Sequence, residues 1–240
     1  IHAGGLDLIF PHHENEIAQS ECANGQPFAN YWMHNAFLNI NDQKMAKSKG
    51  NFFTVRQISE QSGYEPIRYF MLSAHYRTQL NFSMEILEQC VTALERLYTC
   101  REKLDFANGN APMMGDNGVA VKAREAEDRF QERMDDDLNT ADALAVLFDL
   151  VKEINTLSPE SCKSALEETA EVFDRLTGVL GILYNRKETS VPKKILSLVE
   201  ERDAARAEKN WARADEIREE LDAKGYVVED TPAGPKVSKK

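Results

Sequence analysis

Long apolar runs are missing from the 240-residue chain: no stretch of 18 or more apolar residues occurs, so nothing reads as a membrane-spanning helix. The opening residues also lack the basic start and short apolar core of a secretory leader, and a cytoplasmic, membrane-free protein is expected. Cysteine is scarce. Cys22, Cys90, Cys100 and Cys162 are scattered without a C-x-x-C pair, which argues against a disulfide framework and against a self-contained zinc knuckle. Basic charge is in deficit, 29 Lys and Arg against 40 Asp and Glu for a net charge of −11, which argues against broad, nonspecific binding of polyanions. An initiating Met is absent too; the chain begins at Ile1, inside what reads as a strand and glycine turn, as expected of a piece of a longer protein.

What is present suffices for packed cores. A hydrophobic content of 42% over this length predicts two or three units rather than one continuous core. The charge is unevenly spread: residues 191–240 hold 11 basic and 11 acidic residues, so the whole deficit lies upstream, where 18 face 29. A neutral tail can still meet RNA. All five histidines, His2, His12, His13, His34 and His75, fall in the first 75 residues, which concentrates side-chain chemistry at the start.

Residues 1–10 read as a strand with a glycine turn, and Tyr31 to Ile40 as a second strand rich in aromatic and apolar residues. Between them a helix is expected from Pro11 to Asn24-Gly25. Thr54 can cap a short helix through Gln61, and another follows from Glu65. From Ser83 onward long helices dominate: Ile86, Cys90, Ala93, Leu94 and Leu97 recur at helical spacing, and Leu144, Leu147, Phe148, Val151, Ile154 and Leu157 form an apolar stripe that Asn139 or Thr140 would cap. Asn108 to Gly118 reads as a loop. The expected fold class is α/β followed by all-α, an antiparallel helix bundle succeeding the α/β part. The expected units are 1–82, 83–186 and 192–240, the last a small mixed α/β unit with two helices, a strand at Tyr226-Val227-Val228 and a frayed end.

Four constellations carry chemistry. In Pro11-His12-His13-Glu14-Asn15-Glu16, a helix would place His12 and Glu16 on one face, where an imidazole and a carboxylate can converge on a metal; such residues in a first turn also commonly just face solvent. Lys44-Met45-Ala46-Lys47-Ser48 can fold lysines over a triphosphate and offset charge as pyrophosphate leaves, although a solvated basic loop looks the same. Gly4-Gly5-Leu6-Asp7 at a strand end allows a nucleotide to approach the backbone, with Asp7 accepting from ribose hydroxyls; ordinary turns share this pattern. Near the end, Arg206 and Trp211 can stack on unpaired bases while Asp215 and Asp230 accept from exocyclic amines, and Trp211 could equally be a core residue.

Together these segments resemble one family. The run from Ile1 to Glu16 resembles the cysteinyl-tRNA synthetase signature, and Lys44 to Ser48 resembles the KMSKS loop of class I synthetases. The resemblance continues through Tyr69-Phe70, His75-Tyr76-Arg77, Met134 to Thr140 and Asn210 to Asp215. It implies the end of a Rossmann-like class I catalytic domain, a helical bundle that binds tRNA near the anticodon stem, and a small anticodon-binding domain. It implies cysteine and ATP, the latter with magnesium, as substrates, and tRNA(Cys) as partner, in a monomer. One zinc ion would take His12 and Glu16 as two of four ligands, the other two being cysteines outside this chain. His2 matches a histidine beside the amino-acid pocket. Asp7, with Gly5, occupies the position that meets either the adenosine ribose or the substrate amine. Lys47, supported by Lys44, would stabilise the triphosphate; Ala46 departs from the usual serine of that loop and removes a hydroxyl. Arg206, Trp211, Asp215 and Asp230 match anticodon-reading positions. The family's HIGH signature is absent from these 240 residues, so the piece alone is expected not to aminoacylate.

Two rival readings stand beside this one. A mycothiol-pathway ligase joins cysteine to a sugar amine with the same motifs but lacks an anticodon-reading tail, whereas this chain continues about 190 residues past the lysine loop. A non-catalytic tRNA-binding module would hold RNA through the helical and terminal units alone.

Overall fold

The computed structural model describes residues 1–40, 43–45, 53–186, 193–231 and 234–239. The chain opens with strand β1 (His2–Gly5), a tight turn over Leu6–Leu8 and a wide turn over Ile9–His13 that contains a cis Phe10-Pro11 peptide. Helix α1 (Glu14–Asn24) follows and ends on Gly25 in the left-handed conformation. Within residues 9–13 only Phe10 departs from helical dihedral angles, so helical backbone begins at Pro11, as expected, and passes through this turn into α1. The second strand is two: β2 (Trp32–Asn35) pairs in parallel with β1, and β3 (Leu38–Ile40) belongs to a separate sheet. In that sheet β3 lies between β4 (Gln43–Lys44), antiparallel, and β5 (Leu80–Phe82), parallel.

Helix α2 (Val55–Ser62) begins as its sequence dictates. The Thr54 hydroxyl accepts from the Gln57 backbone N–H at 3.2 Å while the Gln57 side chain accepts from the Thr54 N–H at 2.9 Å, a reciprocal cap. Helix α3 (Tyr64–Leu72) brings Phe70 against Phe82, Ile40, Leu87 and Cys90, closing a small core between the second sheet and the start of the bundle.

The bundle comprises α4 (Met84–Asn110), α5 (Gly118–Asp135), α6 (Thr140–Asn155) and α7 (Lys163–Leu180). Its apolar stripes meet in one core, where Leu97, Leu147, Ile154 and Phe173 are fully buried. Each such side chain contributes about 1.5–3 kcal/mol by leaving water. Burial also pushes the thiols of Cys90 and Cys100 up to about 11, so both stay protonated, inert hydrophobes. The connection expected as a loop lies between Asn110 and Gly118 and is tied down by backbone bonds. The Asp116 N–H donates to the Glu160 carbonyl at 2.8 Å and the Cys162 N–H to the Asp116 carbonyl at 2.9 Å. A Cβ on Gly115 would come within 2.1 Å of the Glu160 oxygen, so only glycine fits there.

Polar clamps join α3 to the far end of the bundle. Glu65 is buried, and its carboxylate accepts from the Tyr98 hydroxyl at 2.8 Å and from the Leu183 backbone N–H. The Arg68 Nε donates to the Leu180 carbonyl at 2.7 Å. Leu183 sits at φ 61°, a backbone state that its N–H bond to Glu65 helps to hold.

The third unit packs α8 (Lys193–Ala207) against α9 (Trp211–Ala223), capped by the Asn210 side chain, and a hairpin of β6 (Tyr226–Thr231) and β7 (Gly234–Lys239). Its core is Ile195, Val199, Ile217, Leu221 and Val228. The end expected to fray forms β7, because Tyr226 to Thr231 offers it a complete antiparallel partner in register. Buried Arg202 grips Asp230 with two bonds of 3.0 Å, and Arg206 adds a third.

Two predictions follow from this packing. Glu65→Ala leaves the buried Leu183 N–H and the Tyr98 hydroxyl without their acceptor, and denaturant unfolding should show a loss of about 1–3 kcal/mol. The guanidiniums of Arg202 and Arg206 hold the Asp230 carboxyl at about 2, below its ordinary 3.8. A depressed carboxylate stabilises the fold above its unfolded value and loses that contribution as pH falls through the folded one. The stability advantage of the wild type over Arg202→Met should therefore be full above pH 4 and shrink between pH 4 and pH 2, read by denaturant unfolding across that window.

Candidate active site

The parallel register of β1 on β2 places His2 opposite Trp32 and Gly4 opposite His34. Residues two apart on a strand share a face, so Trp32 and His34 form a wall, stacked at 10° with centroids 6.0 Å apart. His2 meets the Trp32 ring edge at 5.0 Å and the Phe28 ring at 4.9 Å. The buried His13 imidazole completes the cluster, 4.9 Å from His2 and 5.3 Å from Trp32. His13 Nδ1 and His34 Nε2 share a hydrogen bond of 2.9 Å, one ring donating and the other accepting, which couples their tautomers.

Two glycines make this possible. A Cβ on Gly4 would lie 3.0 Å from His13 Cε1 and 2.9 Å from Leu8 Cδ1, so the bare backbone is what lets the imidazole sit on the strand. A Cβ on Gly5 would lie 2.5 Å from an Asp7 carboxylate oxygen. Asp7 therefore folds back over the strand end, exposed and free to receive a ligand there.

The Glu16 carboxylate, from the first turn of α1, accepts from His2 Nε2 at 2.8 Å. Among the described residues one set of potential metal donors gathers: His2, His13 and Glu16 each offer one ligand atom, all within 4.8 Å of one another. His12 is exposed and lies outside this group, although it stands four residues before Glu16 on helical backbone, as expected. Lys44 lies in β4 opposite Asn39, so the backbone leading into the lysine loop is fixed by the second sheet. Lys47 and Ala46 lie outside the described residues.

In the third unit Arg206 and Asp230 are brought together by their ion pair, and the negative charge of Asp215, exposed on α9, bears on neighbouring Arg202. Trp211, the first residue of α9, is 58% exposed, which sets aside its reading as a core residue. An exposed indole at a helix start is an available stacking surface.

Sequence reasoning missed His13, His34, Trp32 and Phe28 as members of the first cluster and Arg202 as the anchor of Asp230. Alternation along β2 could have found Trp32 and His34; nothing local marks Phe28, which precedes the strand.

Comparison with known proteins places these units. Residues 1–92 match the family model for the class I (C) tRNA synthetase catalytic domain, residues 129–184 the DALR domain, and residues 188–235 the cysteinyl-tRNA ligase anticodon binding domain. A cysteine–tRNA ligase of Caldicellulosiruptor saccharolyticus is 52% identical over 243 aligned residues, which cover all of this chain and 52% of that protein. The chain thus spans about half the length of this curated relative. A solved LeuRS–tRNA–LeuAMS ternary complex of Agrobacterium radiobacter K84 has a similar fold, with TM-score 0.59 at 13% identity over 75% of this chain and 27% of that one. Three family models in consecutive order and the full-length alignment of the chain agree, and the chain belongs to the cysteinyl-tRNA synthetase family.

Proposed function

We propose that this chain supplies part of the active site and the RNA-reading units of a cysteine–tRNA ligase, which activates cysteine with ATP and transfers it to tRNA(Cys). The observation that carries this reading is the joint match of the His2 to Glu16 segment and of the anticodon-binding unit to one family, with Glu16 meeting His2 where it faces Trp32 at the start of β1 and β2. The anticodon-binding match favours tRNA over the sugar amine of a mycothiol-pathway ligase as acceptor.

The reaction has two steps. The cysteine carboxylate attacks the α-phosphorus of ATP, forming cysteinyl-adenylate and releasing pyrophosphate; a terminal ribose hydroxyl of tRNA then attacks the carbonyl carbon and releases AMP. Each step rests mainly on positioning and charge stabilisation. Asp7, folded over Gly5 at the strand end, accepts from the ribose hydroxyls or the substrate amine. Lys47, with Lys44, offsets the charge that develops on the departing pyrophosphate. His2, braced by Trp32, Phe28 and Glu16, borders the amino-acid pocket.

Zinc fits the donor chemistry here, a carboxylate surrounded by imidazoles. His12 and Glu16 would hold it: both are exposed and four residues apart on helical backbone, while His13 is buried and bonded to His34. Bound there, zinc supplies a site that prefers a soft thiolate to a serine hydroxyl, which selects cysteine without editing. A specific observation favours a second ligand set, the gathered His2, His13 and Glu16.

Three measurements on the full-length protein that carries this chain test the proposal. His12→Ala should abolish stoichiometric zinc by metal analysis; retention of zinc there, with loss in His13→Ala, transfers the site to the second set. Lys47→Ala should lower cysteine-dependent ATP–pyrophosphate exchange about 10²–10³-fold, and an unchanged rate would remove the lysine from the chemistry. Trp211→Ala should weaken tRNA binding by about 1–3 kcal/mol. Cysteinylation of tRNA by residues 1–240 alone would contradict the proposed division of the active site.

A further inference from the structure

The step from α5 to α6 runs through Asp137 and Leu138, at φ 54° and 56°. Left-handed backbone after a helix is ordinary when glycine supplies it; here an aspartate and a leucine do, at a cost in backbone strain that falls most heavily on the leucine. The return in stability is small. Asp137 is exposed, and the bonds it makes, to the Tyr76 hydroxyl at 2.7 Å and to Arg77 Nε at 2.7 Å, lie on the surface, where such pairs add little to stability. A costly backbone that presents a carboxylate to two surface partners points to placement rather than stability.

The partners of Asp137 lie at a junction of the catalytic unit. The Tyr76 carbonyl accepts from the Ala36 N–H at 2.9 Å, and the Leu80 N–H donates to the Phe37 carbonyl at 3.1 Å. Residues 76–80 therefore clip the two-residue step from β2 to β3. On one side of that step, β2 carries Trp32 and His34 of the clustered site. On the other, β3 holds β4, which leads into the lysine loop. His75 stacks on Tyr76 at 4.7 Å, and its Nε2 lies 3.8 Å from the Asp137 carboxylate.

We propose that Asp137 is a positioning residue that couples the helical bundle, through Tyr76 and Arg77, to the β2–β3 step on which the substrate site and the lysine loop both depend. The proposal rests on the ligase reading above. The step's own bonds to residues 76–80 do not involve the bundle, so activation of cysteine without tRNA does not need the latch. Transfer does: an acceptor end delivered by RNA anchored on the distal units reaches the adenylate only if bundle and site keep their relation, and an error near 1 Å costs about 10²-fold.

The test is Asp137→Gly and Asp137→Asn in the full-length protein. Glycine relieves the backbone cost while removing the carboxylate; asparagine tolerates the same backbone and keeps one acceptor. For Asp137→Gly we expect a melting temperature at or above wild type, cysteine-dependent ATP–pyrophosphate exchange within about threefold, KM for tRNA within about threefold, and kcat for aminoacylation lowered about 10–100-fold, partly restored in Asp137→Asn. Wild-type kcat in Asp137→Gly would overturn the inference, as would an equal loss of exchange and transfer. A wild-type protein that shows neither exchange nor charging would instead overturn the ligase reading, and the inference with it.

Discussion

The active-site end of the molecule depends on one steric vacancy, the absent side chain at Gly4. With a methyl group there, Leu8 would have to move and the His13 ring would be pushed off β1 by a few tenths of an ångström, against its bond to His34. The parallel register of β1 and β2 then does the rest, because it sets His2 against Trp32 across the pair. A cluster of three imidazoles and an indole is thus assembled by two four-residue strands and one turn, with Glu16 brought to it by the first turn of α1. The cluster is small, polar and half open, as suits a site that receives charged substrates rather than one that supplies core stability.

The bundle contributes in a different way. Its core is large and continuous, and the clamps around it are placed at the seams: Glu65 and Arg68 tie α3 to the end of α7, Arg101 grips Asp174 in a bidentate pair between α4 and α7, and Asp137 reaches Tyr76 and Arg77. Apolar packing is tolerant of direction, whereas hydrogen bonds to fixed backbone atoms are not. Stability and relative placement therefore come from different residues, and exposed groups with little energetic weight can still set geometry.

Much of this organisation was legible in the residues. The caps at Thr54 and Asn139 and the 3.6-residue stripes of Leu and Ile predict the helices, because those signals act within a few residues. Strand boundaries were poorer: Tyr31 to Ile40 reads as one extended run, and only the step at Ala36-Phe37, set by bonds to residues 76–80, divides it between two sheets. His12 and Glu16 have helical spacing on backbone that is helical from Pro11 onward, whereas the approach of His2 to Glu16 joins segments 14 residues apart and no local spacing marks it. The pairing of Gly4 with His13, and of Arg202 with Asp230, is tertiary. No local pattern marks it, since the partners are nine and 28 residues apart.

The acidic balance of the chain also takes on a physical meaning. Much of its basic charge is already committed: Arg124, Arg175, Arg186 and Arg213 each pair with a carboxylate, and Arg206 shares Asp230 with Arg202. A cation held in an internal pair attracts phosphate weakly, so the field over the chain does not draw polyanions in indiscriminately. In the proposed function this favours recognition through shape and stacking. Trp211 offers an indole face that needs no charge, and Arg206 can turn toward a base only by loosening its hold on Asp230. Because Arg202 keeps two bonds to the same carboxylate, that exchange would leave no buried charge unpaired.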